Sequence, residues 1–211
     1  MKIFVPDGAD KDSVIDKTKY EFDLIKDLDI PNVMKYYEFK ENATWVKSDG
    51  SKKQVCYLLM ELLDGVELLD FLNECQEQKD EFLRYIFLEL AKTIHLLHKA
   101  GISHRDIKPE NVMITTDYKI KVIDLGFGIP LAGRKGKGYM NTRLGTPMYM
   151  APEIRSKDAP YQGNDADLFA FGVSLFVAKV FDYPWKRADL AESGYKMLAG
   201  DNGTSAESFW A

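Results

Sequence analysis

Cysteine and histidine are scarce in this chain, with two and three respectively among 211 residues. Cys56 and Cys75 form no C-x-x-C pair, and no metal-ligand spacing occurs. This excludes a disulfide framework and a structural zinc site as organising devices, and two reduced thiols are expected. Long hydrophobic runs are also lacking. The longest, Leu168 to Ala178, falls short of the ~18 residues a membrane span needs and reads as a helix buried on all sides. The apolar start Met1 to Val5 meets Pro6, Asp7 and Gly8 at once, too soon for a signal peptide, so a cytoplasmic or nuclear location is expected. Positive charge is not in excess: 28 Lys and Arg against 33 Asp and Glu leave a net charge of −5. That argues against a nucleic-acid binder working by bulk electrostatics and leaves room for basic partners. No internal repeat and no low-complexity segment occurs.

What is present is enough apolar material, 45% of the residues, for a substantial core. Met1 to Val5 reads as a short strand. Asp12 to Leu28 reads as a helix, with Phe22, Ile25 and Leu28 on one side and Pro31 beyond its end. Val33 to Val46 and Lys53 to Leu62 read as strands joined by a turn at Ser48-Asp49-Gly50-Ser51. Val66 to Asn73 and Glu81 to Lys99 read as helices; in the second, Phe82, Ile86, Leu90, Ile94 and Leu97 make one apolar face that Gly101 terminates. Short strands are expected at Val112 to Thr115 and Lys119 to Ile123. A Gly-rich basic segment then runs from Gly126 to Arg143, with helices again near Asp165 to Phe181 and Leu190 to Leu198. Strands come first and helices later, which indicates an α+β fold rather than a wound parallel sheet. No Pro/Ser/Gly linker divides them, so 1–62 and 63–211 are expected to be two lobes of one domain.

The most informative stretch is His104-Arg105-Asp106-Ile107-Lys108-Pro109-Glu110-Asn111. Ile123-Asp124-Leu125-Gly126 follows, with Asp124 18 residues after Asp106, and then Ala151-Pro152-Glu153. This order resembles the catalytic loop, metal-binding turn and activation-segment end of a eukaryotic-type protein kinase, most similar to the calmodulin-dependent group. The resemblance runs nearly from end to end and implies a bilobal fold, with a small β-rich lobe and a larger helical one, both incomplete. It also implies ATP and Mg²⁺. Phosphoryl transfer asks for positioning, charge neutralisation and a partner for the nucleophile's proton. By resemblance, Asp106 orients the substrate hydroxyl, Lys108 faces the transferring phosphate, and Asn111 and Asp124 hold metal. Lys108 in its Lys-Pro-Glu context resembles Ser/Thr kinases. Lys2 matches the strand lysine for the ATP phosphates and Glu21 its helix clamp.

Met60 matches the gatekeeper beside the adenine. The backbone at Glu61 and Leu63 matches the purine-binding hinge, and Met113 with Leu68 the pocket floor. Glu67 and Glu110 match acidic positions that contact ribose or substrate arginines, so protein substrates bearing Ser or Thr near basic residues are expected. Thr146, in Gly145 to Glu153, matches the peptide-positioning loop, a stretch without a role in small-molecule phosphotransferases. Thr142 stands where many kinases carry an activating phosphate; Arg105 could pair with it, aided by Arg134, Lys135, Lys137 and Arg143. Asp167 matches a buried aspartate that anchors the catalytic loop. Ile25, Tyr36, His104 and Leu125 match the family's apolar spine, which makes His104 a packed histidine rather than a base.

There are departures. Leu125 stands where Phe is usual, which keeps bulk and loses nothing chemical. No G-x-G-x-x-G occurs anywhere in the chain, and the arginine that usually pairs with the Glu153 position has no match. The expectation is therefore a kinase domain truncated at both ends, with weak nucleotide affinity and little turnover on its own. The alternative is a catalytically silent kinase-like module that binds partners.

Overall fold

The computed structural model describes residues 1–5, 11–75, 80–131, 139–155 and 160–199, and the structural statements below concern those residues. Strands β1 (Lys2–Phe4), β2 (Tyr36–Val46) and β3 (Lys52–Met60) form an antiparallel sheet in the order β1-β3-β2. Helix α1 (Lys11–Ile25) packs on β2 and β3. It ends three residues short of Leu28, whose N–H bonds Ile25 O in a closing turn. Gly50, with φ +81°, makes the tight link between β2 and β3 that the Asp-Gly pair foreshadows.

The larger part is built on α3 (Asp80–Lys99) and α5 (Gly163–Val180). Leu83, Ile86, Phe87, Leu90 and Ile94 recur at three- and four-residue spacing on α3 and meet Ala170, Val173 and Val177 of α5. Val112, Ile114, Ile120 and Val122 close the same core from strands β6 (Val112–Thr115) and β7 (Ile120–Val122). Leu90 has no exposed surface; truncating such a leucine to Ala costs ~2–5 kcal/mol. Gly101, at φ +79°, turns the chain out of α3 into β5 (Ile102–Ser103), which pairs with β8 (Ile129–Pro130). Short helices α4 (Pro152–Arg155) and α6 (Ser193–Ala199) complete the order.

Three expectations are corrected. Val66 and Glu67 do not begin a helix: β4 (Gly65–Glu67) pairs antiparallel with β6, and α2 (Leu68–Glu74) starts only afterwards. Local sequence favoured the helix, but the strand's partner lies 46 residues away in sequence, from Glu67 to its opposite number Met113. The approach is close at Gly65, where a Cβ would sit 2.1 Å from Ile114 O. Second, Leu68 is wholly buried in the α3–α5 core, so it has no face to offer as a pocket floor. Third, α5 is not covered all round. Leu168 and Leu175 are exposed and, with Phe169, Phe176 and Trp185, line a groove of about 490 Å³. No helix among the described residues is long and apolar enough to cross a membrane, and Cys56 and Cys75 form no disulfide.

The two parts are joined by more than chain. Val122 donates to Asn32 O at 2.7 Å and accepts from Met34 N–H at 3.0 Å, so the turn after α1 is stitched to β7. Ile25, Tyr36, Leu97 and Leu125 share one buried cluster that runs between them.

Candidate active site

The loop 104–111 is held from beneath by one buried carboxylate. Asp167, in the second turn of α5, accepts from the backbone N–H groups of His104 (2.9 Å) and Arg105 (2.6 Å), from Ser103 Oγ (3.0 Å), and contacts His98 Nε2 at 2.8 Å. Those bonds hold Arg105 at φ +66°, a left-handed conformation costly for a non-glycine residue. His104 is fully buried. Its Nδ1 accepts from Asp106 N–H at 3.3 Å, and its Nε2 faces Ile123 O at 3.1 Å. A carbonyl at one nitrogen and an N–H at the other assign the neutral Nε2–H tautomer.

Above this anchor four side chains converge. Asp106 Oδ2 lies 2.9 Å from Lys108 Nζ and 3.1 Å from Asn111 Nδ2, which also donates to Asp106 O at 2.8 Å. Asp106 Oδ1 accepts from both the N–H and the hydroxyl of Thr146, each at 2.9 Å. Lys108 Nζ also donates to Thr146 Oγ1 at 2.8 Å. Pro109–Asn111 form a single 3₁₀ turn, which brings Asn111 back over Asp106. Asn111 O accepts from Ile123 N–H at 2.9 Å, so the residue before Asp124 is fixed to the loop.

A second cluster surrounds Asp124, itself at φ +58°. Lys2 Nζ lies 3.9 Å from Asp124 Oδ1 and 4.0 Å from Glu21 Oε1. Glu21 is buried, and Tyr36 donates its hydroxyl to the same Oε1. Burial pushes the Glu21 carboxyl above the ordinary glutamate range, opposed by the Tyr36 hydrogen bond and by Lys2. Burial, then the Glu21 charge, pushes the Tyr36 phenol well above its usual value. Asp124 Oδ1 and Glu21 Oε2 both flank Gly126, where a Cβ would meet them at 3.0 and 3.5 Å.

A third group lies beside the first. Arg105 donates from Nε to Phe127 O (2.8 Å) and from one terminal nitrogen to Thr142 Oγ1 (2.6 Å) and Tyr161 OH (3.2 Å). Arg143 is exposed, while Arg134, Lys135 and Lys137 lie outside the described residues. Along the strand edge, Met60 and Met113 are half-buried, and Met113 pairs across the ladder with Glu67, which is exposed. Glu61 N–H is taken by Lys35 O at 2.8 Å and its carboxylate by Lys121 at 3.0 Å; Leu63 is half-buried. Glu110 accepts from Tyr149 OH at 3.4 Å. Glu153 is half-buried in α4 and makes no ion pair among the described residues.

The structure thus brings together the loop residues, the Lys2–Glu21–Asp124 set and the Arg105–Thr142 pair. Sequence reasoning missed Tyr161 and His98, which hold Arg105 and Asp167, and missed the hydroxyl of Tyr36. Only the last had a signal: a phenol where an apolar spine residue is usual.

A two-lobed α+β domain with a buried aspartate under an Asp-x-Lys-x-x-Asn loop, and a second aspartate tied to it through Ile123, is the frame of one family. The family model for the protein kinase domain matches residues 1–204, and the chain belongs to that family. Among curated relatives, it is similar to CBL-interacting protein kinase 24 of Oryza sativa subsp. japonica, at 31% identity over 95% of this chain and 41% of the relative. It is likewise similar to CBL-interacting serine/threonine-protein kinase 26 of Arabidopsis thaliana, at 30% identity over 95% of this chain and 43% of the relative. CBL-interacting protein kinase 32 of rice is 33% identical over 90% of this chain and 41% of its own length. The chain therefore spans about two fifths of these relatives.

Proposed function

We propose that this domain transfers the γ-phosphate of ATP to Ser or Thr hydroxyls of protein substrates. The observation that carries the reading is the Asp106–Lys108–Asn111–Thr146 cluster, in which a carboxylate and an ammonium both bond one hydroxyl, that of Thr146. In the reaction, the substrate oxygen forms its bond to the γ-phosphorus as the bond to the ADP oxygen breaks. Asp106 orients the substrate hydroxyl and takes its proton, while Lys108 offsets charge on the phosphoryl oxygens. Thr146 keeps Asp106 and Lys108 in register. Lys2, set by Glu21, faces the α- and β-phosphates. Met60, Met113 and the backbone at Glu61 and Leu63 receive the adenine.

The residues fit Mg²⁺. Asn111 spends its Nδ2 on Asp106, which leaves Oδ1 as its ligand atom, and Asp124 adds a carboxylate. No cluster of three or more His, Cys, Asp or Glu that could cage a metal occurs among the described residues. Magnesium is typically held by one or two protein oxygens plus substrate phosphates, so this sparse set suits it. When bound, the ion neutralises charge on the phosphates. Exposed Glu67 and half-buried Glu110 favour substrates with basic residues near the acceptor, and phosphate on Thr142 would meet Arg105.

The test is transfer of radiolabelled phosphate from ATP to a basic Ser/Thr peptide. Incorporation that disappears in Asp124→Ala is expected; incorporation that survives it would overturn the assignment. A second reading, a silent partner-binding module, draws on the long 4.0 Å Lys2–Glu21 separation. It requires that the parent chain transfer nothing while folding normally.

A further inference from the structure

Among the described residues, Lys2 and Tyr36 both reach Glu21, and they are unequal. Lys2 sits on a strand of three residues, keeps 40% of its side chain exposed, and stands 4.0 Å from Glu21 Oε1. It is as near to Asp124, at 3.9 Å. Ion pairs this long and this wet contribute little. Tyr36 is buried, and its hydroxyl hydrogen-bonds Glu21 Oε1 directly. Its backbone pairs with Met60 at the strand end beside the hinge. Its ring lies in the cluster that contains Ile25 of α1 and Leu125 of the metal turn. One residue thus joins α1 and the turn after Asp124 through its side chain, and the adenine-side strand through its backbone.

We propose that Tyr36 is a positioning residue: its hydroxyl holds Glu21 in place before nucleotide arrives, a task that Lys2 does not perform. The proposal rests on the nucleotide-site reading above only for its consequence, that Lys2 then finds Glu21 already set. Without the hydroxyl, the buried carboxylate keeps, among the described residues, the distant ammonium alone, and a buried acceptor left short of donors does not stay where it is. Glu21 then turns toward solvent and α1 loosens with it.

The test compares the parent chain with Tyr36→Phe, Tyr36→Leu and Lys2→Met. Amide exchange along 13–25 is measured without nucleotide, and the Mg·ATP dissociation constant is measured separately. In Tyr36→Phe, exchange in α1 is expected to speed up by roughly tenfold or more and Mg·ATP to bind about tenfold more weakly, the scale of one hydrogen bond to a charged group. Exchange in α3 stays as in the parent. Tyr36→Leu, which keeps apolar bulk but no hydroxyl, behaves alike. Lys2→Met loses Mg·ATP while α1 stays protected. Parent-like α1 exchange in Tyr36→Phe overturns the proposal, as does a loss of protection spread equally over α3 and α5. If Tyr36→Phe binds Mg·ATP as the parent does while Lys2→Met does not, the nucleotide site stands and the role of Tyr36 falls. If the parent binds no Mg·ATP, the nucleotide reading fails, and α1 exchange alone decides whether Tyr36 holds Glu21.

Discussion

Asp167→Asn is the substitution that bears most sharply on how the catalytic loop is built. Asp167 is 1% exposed, and four donors converge on it. Oδ2 receives His104 N–H, Ser103 Oγ–H and His98, and Oδ1 receives Arg105 N–H alone. An asparagine that keeps its oxygen on the three-donor side turns its NH₂ against the Arg105 N–H, so that bond becomes a donor–donor contact. A hydrogen bond to a charged group is worth ~1.5–3 kcal/mol, and a buried N–H left unmet costs ~1–3 kcal/mol. The charge that strengthened the other three is also lost. The left-handed Arg105 relaxes in return, which gives back ~1 kcal/mol or more. The net is a loss of about 3 kcal/mol. For a chain of this size each kcal/mol moves Tm by ~2–4 °C, so thermal unfolding followed by circular dichroism should fall by about 6–12 °C. Phosphoryl transfer below Tm should fall as well, since the 104–111 backbone carries Asp106. A Tm within about 2 °C of the parent would refute the claim that Asp167 holds the loop in its strained form.

Glu21→Gln should stabilise the fold in a pH-dependent way. Burial raises the folded pKa above the unfolded value of 4.5. Below that value the carboxyl is protonated in both states and costs nothing; as pH rises through the window up to the folded pKa, the unfolded chain ionises first and parent stability declines, then levels off. The advantage of the glutamine should be near zero around pH 4 and greatest at neutral pH. An advantage independent of pH would contradict this, and transfer activity should drop regardless. Phosphate on Thr142 should raise Tm by about 2–6 °C through one or two new charge-assisted bonds with Arg105. Equal Tm for the phosphorylated and unmodified chains would count against that pairing. Gly65→Ala should destabilise by ~1–3 kcal/mol in denaturant titration, because the added methyl overlaps the Ile114 carbonyl; an unchanged midpoint would mean that β4 does not pair as described.

What the sequence disclosed was local. The residues at 104–111 are close along the chain, and their roles follow from a short loop folding back on itself, so Asp106, Lys108 and Asn111 were legible as a group. The α3 face was equally plain from its periodicity. What stayed hidden depends on partners far away. β4 reads as helix until its pairing with β6 is known, and Leu68 looks like a pocket residue until α3 and α5 close over it. The open face of α5 could not be read from an apolar run that looks the same covered or bare. The Tyr36 hydroxyl is the clearest case: the ring fits the apolar spine its position suggested, but its polar tip finds Glu21 only once β2 lies under α1.

The claim that Asp106 receives the substrate proton is tested most directly by Asp106→Asn. Single-turnover transfer to a Ser peptide should be measured alongside Mg·ATP affinity on the same samples. The rate should fall by roughly 10²–10⁴, the usual worth of a positioned general base, with nucleotide affinity unchanged. With its amide oxygen on the Lys108–Asn111 side, the asparagine keeps those two in place and gives up the bond from Thr146 N–H. A rate within a few-fold of the parent would mean that the cluster around Asp106 is not where the chemistry occurs.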